Sequence, residues 1–176
     1  MDKEEFAQVV WEAQDTMYRV AKSILKKDTD CEDAVSQGIV NAFEHLESLK
    51  KPQYAKTWLI RIVMNECYRI SKQKRKEQCY EQDVICIGEW KESYDTDWQE
   101  ETYSELYEAL CSISQVYHTA LVLYYMEEYS MTEIAKLQNT SVGNVKMRLS
   151  RGRKMLRKRI EENMAACVVQ GKPRKC

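Results

Sequence analysis

Between Ser141 and Arg153 the chain reads Ser-Val-Gly-Asn-Val-Lys-Met-Arg-Leu-Ser-Arg-Gly-Arg, a run rich in cations and hydrogen-bond donors without a carboxylate. At about 100° per residue, Val142, Val145, Leu149, Gly152, Leu156 and Ile160 fall on one stripe of a helix. Met147, Ser150, Arg151, Lys154 and Lys158 lie opposite, with Lys146, Arg148 and Arg153 on the flanks. Such a helix can bury its stripe, turn its front toward base edges in a major groove and hold phosphates with its flanks. A solvated amphipathic helix would show the same period. The acid-free start, with open amides at Val142 and Gly143, favours an anion-binding end. A second group lies upstream, where Lys56, Arg61, Asn65, Arg69 and Lys72 recur roughly a turn apart. Separating DNA strands needs cations for the phosphates and a polar pocket for an unstacked base. Asn65 both donates and accepts hydrogen bonds, which suits such a base. The apolar neighbours of Trp58 favour a core role for that ring over base stacking. No nucleophile–base pairing, phosphate loop or metal-ligand spacing accompanies these groups, so an enzyme is the weaker reading.

The distribution of charge supports two contacts with one polyanion. Residues 1–66 carry net −3, residues 67–76 net +5 with no acid, residues 77–108 net −10, residues 109–140 net −2 and residues 141–176 net +9, within a total of −1. One basic block would pass for a solvated helix face; two, each ending a helical pattern, point to nucleic acid.

The elements that must position these groups are helices. Five Gly and two Pro in 176 residues leave little material for hairpins. Phe6, Val9, Val10, Ala13, Met17, Val20, Ala21, Ile24 and Leu25 predict a first helix. Thr29 with Glu32 matches a capping box opening a second, with Ala34, Val35, Ile39, Ala42, Phe43 and Leu46 on one face and Pro52 forbidding its continuation. A third follows with Trp58, Leu59, Ile62, Val63 and Cys67 inward, running into the first basic block. Residues 77–99 lose the period and read as an acidic linker broken at Gly88, in which Trp90 and Trp98 are unusual. The period returns from about Glu100 with Leu106, Leu110, Ile113, Val116, Ala120, Leu121, Leu123 and Tyr124. Ser130 with Glu133 forms another capping box, Ala135 is small enough for a close crossing, and Asn139 suits a left-handed turn. Ser141 then caps the cationic helix, and Val145 falls where that helix must press back on its predecessor. This is a helix-turn-helix, with short and long helices at 131–138 and 142–161. The expected architecture is all-α: a three-helix domain over 1–76, the linker, a helix-turn-helix domain over 100–162 and a basic, frayed tail over 163–176.

The seven Cys are odd in number and form no CxxC pair, and only His45 and His118 could add imidazole ligands. Reduced thiols acting as small buried hydrophobes are the better reading, with no metal or cofactor expected. The longest apolar run, Ala120–Met126, is too short to span a membrane, and the charged first residues do not make a secretory signal. A cytoplasmic protein is expected.

Three stretches, in this order and spacing, carry a resemblance over about Phe6–Ile160. They are Asp30-Cys-Glu-Asp-Ala-Val, Thr57-Trp-Leu-Ile-Arg-Ile-Val-Met-Asn65 and the Ser141–Arg153 run. The chain resembles an RNA polymerase sigma factor of the extracytoplasmic-function (ECF) group. The resemblance implies a non-enzymatic initiation factor whose first domain opens the −10 promoter element and grips the β′ clamp helices of core polymerase. Its second domain would read the −35 element and touch the β flap, and an anti-sigma factor would keep it silent. By position, Lys56, Arg61, Asn65, Arg69 and Lys72 would meet the −10 element; Ser141, Gly143, Asn144, Lys146, Met147, Arg148, Ser150, Arg151 and Arg153 the −35 element; and Asp30, Glu32, Asp33 and Gln37 the polymerase. The pattern departs from the family at Ser36 and Gln37 (usually an acid and Gln), at Asn139 and Thr140 (usually Gly and an apolar residue) and at Met147 (often small and polar). The −35 preference therefore cannot be borrowed. A dimeric helix-turn-helix regulator of duplex operators is the alternative, but it leaves the first basic block and Asp30–Val35 without a purpose.

Overall fold

The computed structural model describes the backbone of residues 1–78, 106 and 108–169, and the side chains of residues 1–74, 106 and 108–162. All regular structure among the described residues is helical. The first unit comprises α1 (Lys3–Ile24), α2 (Asp28–Glu44) and α3 (Ala55–Gln78). The second comprises a helical stretch at 108–112, α4 (Gln115–Leu121), α5 (Met131–Leu137) and α6 (Val142–Val169). The acidic linker with Gly88, Trp90 and Trp98 lies outside the described residues, as do the side chains of the tail. The tail backbone corrects one expectation, because α6 continues past 161 to Val169.

Helix α1 opens on a capping box that the sequence reading missed: the Glu5 amide donates to Asp2 Oδ1 at 2.7 Å, and the Asp2 amide donates to Glu5 Oε2 at 3.0 Å. The box expected at Thr29 and Glu32 does not form. Helix α2 starts at Asp28, and the residue before it, Lys27, supplies no side-chain cap. Asp28 stands in the first turn, where a carboxylate suits the positive end of the helix dipole. Lys22 pairs with it and the Tyr18 hydroxyl donates to it at 2.9 Å; the Lys22 hydrogen bond first, then that of Tyr18, lowers its pKa against the opposing effect of burial.

Small residues, not large ones, form the inner stripe of α2. Cys31, Ala34, Gly38 and Ala42 are buried, whereas Phe43, expected inward, is 45% exposed, and Val35 and Ile39 are only half-buried. The reason is the proximity of α3. A Cβ on Gly38 would lie 2.7 Å from Val63 Cγ2 and 3.1 Å from Val63 Cα, so only glycine lets the two backbones approach so closely. Helix α3 buries Leu59, Val63 and Cys67 as expected and adds Ile60 and Met64; Trp58 is half-buried against the core. Cys31 and Cys67 are free thiols, and burial pushes both pKa values up to about 12.

In the second unit, Leu121, Leu123, Ile134, Ala135, Leu137, Val145 and Leu149 pack together, while Leu106 and Val116, expected inward, are 38% and 46% exposed. Gly152 lets α6 meet α4, since a Cβ there would lie 3.2 Å from Leu121. Beyond α4 the coil widens to i→i+5 bonding over Val122–Met126, with the Glu127 amide donating to the Val122 carbonyl at 3.1 Å. Helices α4 and α5 also rest on α1 and α3 respectively, so one contiguous core runs through both units.

His118 is buried in α4, and burial lowers its pKa to about 4. An unfolded histidine titrates near 6.5, so this group contributes stability that is full above pH 6.5 and lost as the pH falls toward 4. The loss should reach about 2 kcal/mol by pH 5. Urea midpoints at pH 7 and pH 5 should therefore lie closer together in His118→Leu than in the wild-type protein.

Candidate nucleic-acid interface

The turn before the cationic helix is built as its residue types require. The Glu133 amide donates to Ser130 Oγ at 3.3 Å and the Ser130 amide to Glu133 Oε2 at 2.9 Å, which starts α5. Hydrogen bonds from the Ser130 hydroxyl and then its amide hold the Glu133 carboxyl below its ordinary pKa. Asn139 takes a φ of 47°, the left-handed region that asparagine tolerates. The Thr140 amide then donates to the Ala135 carbonyl at 2.9 Å, and the Asn139 amide to that of Lys136 at 3.4 Å. These two bonds close a Schellman-type end. The Asn144 amide donates to Ser141 Oγ at 3.2 Å, so Ser141 caps α6.

Of the nine residues expected at duplex DNA, Ser141, Gly143, Asn144, Lys146, Met147, Arg151 and Arg153 are exposed, and Arg148 and Ser150 are half-buried. Val142 leaves the expected apolar stripe and is 45% exposed; Val145, Leu149 and Gly152 hold it, with Leu156 and Ile160 half-buried. Arg148 Nη1 donates to Gln138 Oε1 at 2.6 Å across the turn. Arg153 Nη1 donates to the Tyr125 hydroxyl at 3.2 Å, a partner 28 residues away that no local pattern signals.

Lys56, Arg61, Asn65, Arg69 and Lys72 are all exposed on α3. Arg61, Asn65, Arg69 and Lys72 share a face, but at about 100° per residue Lys56 points well away from it. The first basic block is also less free than its composition implies. Lys74 Nζ holds both Asp30 oxygens at 2.7 and 2.6 Å, and Arg69 Nε donates to Glu66 Oε2 at 2.7 Å. Asn41 Nδ2 donates to the other oxygen of Glu66 at 3.0 Å, and Gln37 Nε2 donates to Asn41 Oδ1 at 2.9 Å, so a polar chain links α2 to α3. Glu32, Asp33 and Gln37 are exposed, whereas Asp30 is largely occupied by Lys74. A shallow cavity of about 450 Å³ opens here, lined by Asp30, Asp33, Gln37, Arg69, Ile70 and Lys74 among others. Among the described residues no group of three or more His, Cys, Asp or Glu side chains could hold a metal ion, and no helix is long and apolar enough to cross a membrane.

A helix-turn-helix with its cations outward, preceded by a three-helix unit with a second cationic face, defines a transcription factor of the sigma type. Family models agree: sigma-70 region 2 matches residues 10–77, and sigma-70 region 4 matches residues 103–156. The chain belongs to the sigma-70 family, in its ECF group. It is 27% identical over 141 residues to the RNA polymerase sigma factor SigV of Bacillus subtilis, covering 80% of this chain and 81% of that protein. It is 27% identical over 173 residues to the ECF sigma factor SigW of the same organism, covering 92% and 91%. Its fold is similar to that of RpoE in a co-crystal with the anti-sigma factor NepR from Bartonella quintana, with a TM-score of 0.79, 22% identity and 90% and 98% of the two chains covered. It is also similar to CnrH in complex with the cytosolic domain of CnrY, with a TM-score of 0.64, 21% identity and 92% and 90% covered.

The left-handed turn gives a local test. Asn139→Val should lower stability by about 1–2 kcal/mol, because a β-branched residue resists positive φ, whereas Asn139→Gly should be neutral or stabilising. Thermal melts of both variants would check this.

Proposed function

We propose that this sigma factor reads both promoter elements for core RNA polymerase through the two cationic faces described above, without an active site of its own. The observation that carries this reading is the order of region 2 and region 4 in one chain, the latter ending in a helix whose front is exposed and acid-free through its first five turns. Ser141, Gly143, Asn144, Lys146, Met147, Arg148, Ser150, Arg151 and Arg153 then read or grip the −35 duplex. Arg61, Asn65, Arg69 and Lys72 hold the opened −10 strand, with Lys56 contributing from a different side of α3. Glu32, Asp33 and Gln37 offer the docking face for the β′ clamp helices, and Asp30 supports that face through Lys74. The second unit would touch the β flap. An anti-sigma factor is a fitting further partner, as in the RpoE–NepR complex, and the cytoplasm is the fitting compartment. The functional division falls at residues 1–76 and 100–162. A dimeric operator-binding regulator would leave the region 2 match without a role.

Run-off transcription with core polymerase on a randomised promoter library tests the reading and reports both elements. Selected start sites are expected; no binding to core enzyme and no start-site selection would overturn it. Two substitutions refine the roles. Arg151→Ala should weaken −35 recognition by ~1–3 kcal/mol if the guanidinium meets a base bidentately, and an equal loss on every sequence would make it a phosphate contact. Asn65→Ala should impair open-complex formation, read by permanganate footprinting, more than closed-complex binding. An equal effect on both steps, or none, would remove the base-pocket role.

A further inference from the structure

The hydrogen bond from Arg153 to Tyr125 joins α6 to the widened turn after α4, and it lies in the open. Nη1 and the phenol oxygen are 3.2 Å apart, Tyr125 is 54% exposed, and Arg153 is exposed as well. A contact wet on both sides adds little to folding, because water replaces either partner at small cost. The fold nevertheless fixes both of its ends. Gly152, next to Arg153, seats α6 against Tyr117 and Leu121 of α4, and Leu121 lies four residues before Tyr125. The i→i+5 bonding over Val122–Met126 then changes the angle at which residue 125 leaves the coil. Tyr125 ends exposed, whereas Glu127, two residues on, turns inward to Arg19. Tyr124 packs half-buried on the core and meets the Tyr125 ring in a T-shaped pair, 4.9 Å between centroids and 83° between planes. The phenol is thus held by an aromatic ring on one side and by a guanidinium at its tip.

Such an arrangement can cradle an anion. The phenol oxygen accepts from Arg153, so its own proton is left to donate elsewhere. The guanidinium keeps its other N–H groups at the same place. A neutral and a cationic donor 3.2 Å apart can meet two oxygens of one phosphate. Position decides between a phosphate and a base. Measured from Met147 at the front of α6, Arg153 lies about 120° round the helix, on the flank it shares with Lys146 and Arg157. All three cations are exposed. A major groove about 12 Å wide admits one helix. With α6 inside it, the turn after α4 stays outside, where the sugar–phosphate rim is within reach and the base edges are not.

We propose that the Tyr125 hydroxyl and the Arg153 guanidinium form one two-point site for a single backbone phosphate beside the upstream promoter element. The contact carries no sequence information and fixes how α6 is seated in the groove. This rests on the −35 role proposed for α6 above. The test uses holoenzyme reconstituted from the full chain and core polymerase, with fluorescein-labelled promoter fragments carrying the upstream element selected in the run-off experiment. Closed-complex affinity is read by anisotropy over a salt series. Tyr125→Phe keeps the ring, removes the hydroxyl and should weaken binding about fivefold on every upstream sequence. Arg153→Ala should weaken it about tenfold and lower the salt slope by about one. The double variant should lose little more than Arg153→Ala, because both groups hold the same phosphate. A neutral methylphosphonate, walked along the element one linkage at a time, gives a readout that a structural role would not move. At one linkage it should weaken binding by the wild-type protein and leave the double variant unaffected. Wild-type affinity in Tyr125→Phe, a loss confined to one base pair, or equal sensitivity of the wild type and the double variant at every linkage overturns the site. So does a double variant whose loss is the product of the two single losses. A loss of affinity for core polymerase in Tyr125→Phe would assign the hydroxyl to a protein contact and overturn it too. If wild-type run-off transcription fails, the sigma-factor reading goes; if it succeeds while the variants bind as the wild type does, only the phosphate site is lost.

Discussion

The last turns of α1 are buried on nearly every side. Thr16, Met17, Val20, Ala21, Lys22, Ser23, Ile24 and Leu25 are all under 9% exposed. A helix lying on one layer would bury a single stripe and leave the opposite face wet. Burial all round means that α1 is a shared wall: α2 and α3 cover it from one side, and α4 and the turn after it cover it from the other. Two of its buried polar residues meet partners from neighbouring segments, which offsets their burial. Lys22 pairs with Asp28, and Ser23 meets Thr119. The joined core, the entry angle of α2 and the placement of the helix-turn-helix against α3 follow from this one packed segment.

Much of this was legible from local pattern. The capping box at Ser130, the left-handed Asn139, the Ser141 cap and the inward Val145 and Leu149 all depend on neighbours within a few residues, and the structure builds them as the residue types ask. The capping box at Asp2 and Glu5 was also local and legible, whereas other differences come from packing between helices. Thr29 with Glu32 matches a capping box, but α2 opens one residue earlier at Asp28, which pairs with Lys22 of α1. Phe43 looked like core, but the approach of Val63 to Gly38 selected the small-residue stripe of α2. The seam between the units joins residues about 100 apart in the chain, such as Arg19 with Glu127, and no periodicity encodes such a pairing.

Less of the charge in the basic regions is free than their composition implies. On α3, Lys74 is committed to Asp30 and Arg69 to Glu66. The Lys74 pair anchors α3 to α2, and the Arg69 pair, within α3, fixes that guanidinium in place, leaving Arg61, Asn65 and Lys72 with the least competition from carboxylates. The division of labour on α6 is similar: Arg148 and Arg153 are held by Gln138 and Tyr125, and Arg151 stands exposed between them.

The seam between the units mixes two kinds of contact. Helices α4 and α5 rest on α1 and α3 within one contiguous apolar core. Beside it lie the Arg19–Glu127 pair, whose carboxylate is 4% exposed, and the buried hydroxyls of Ser23 and Thr119. Taking one partner from a buried pair leaves the other charge uncompensated, at a cost of about 3–5 kcal/mol. Each Å² of apolar surface exposed along the same seam costs a further ~25 cal/mol. Separation of the units therefore needs contacts elsewhere that favour the separated arrangement by at least as much.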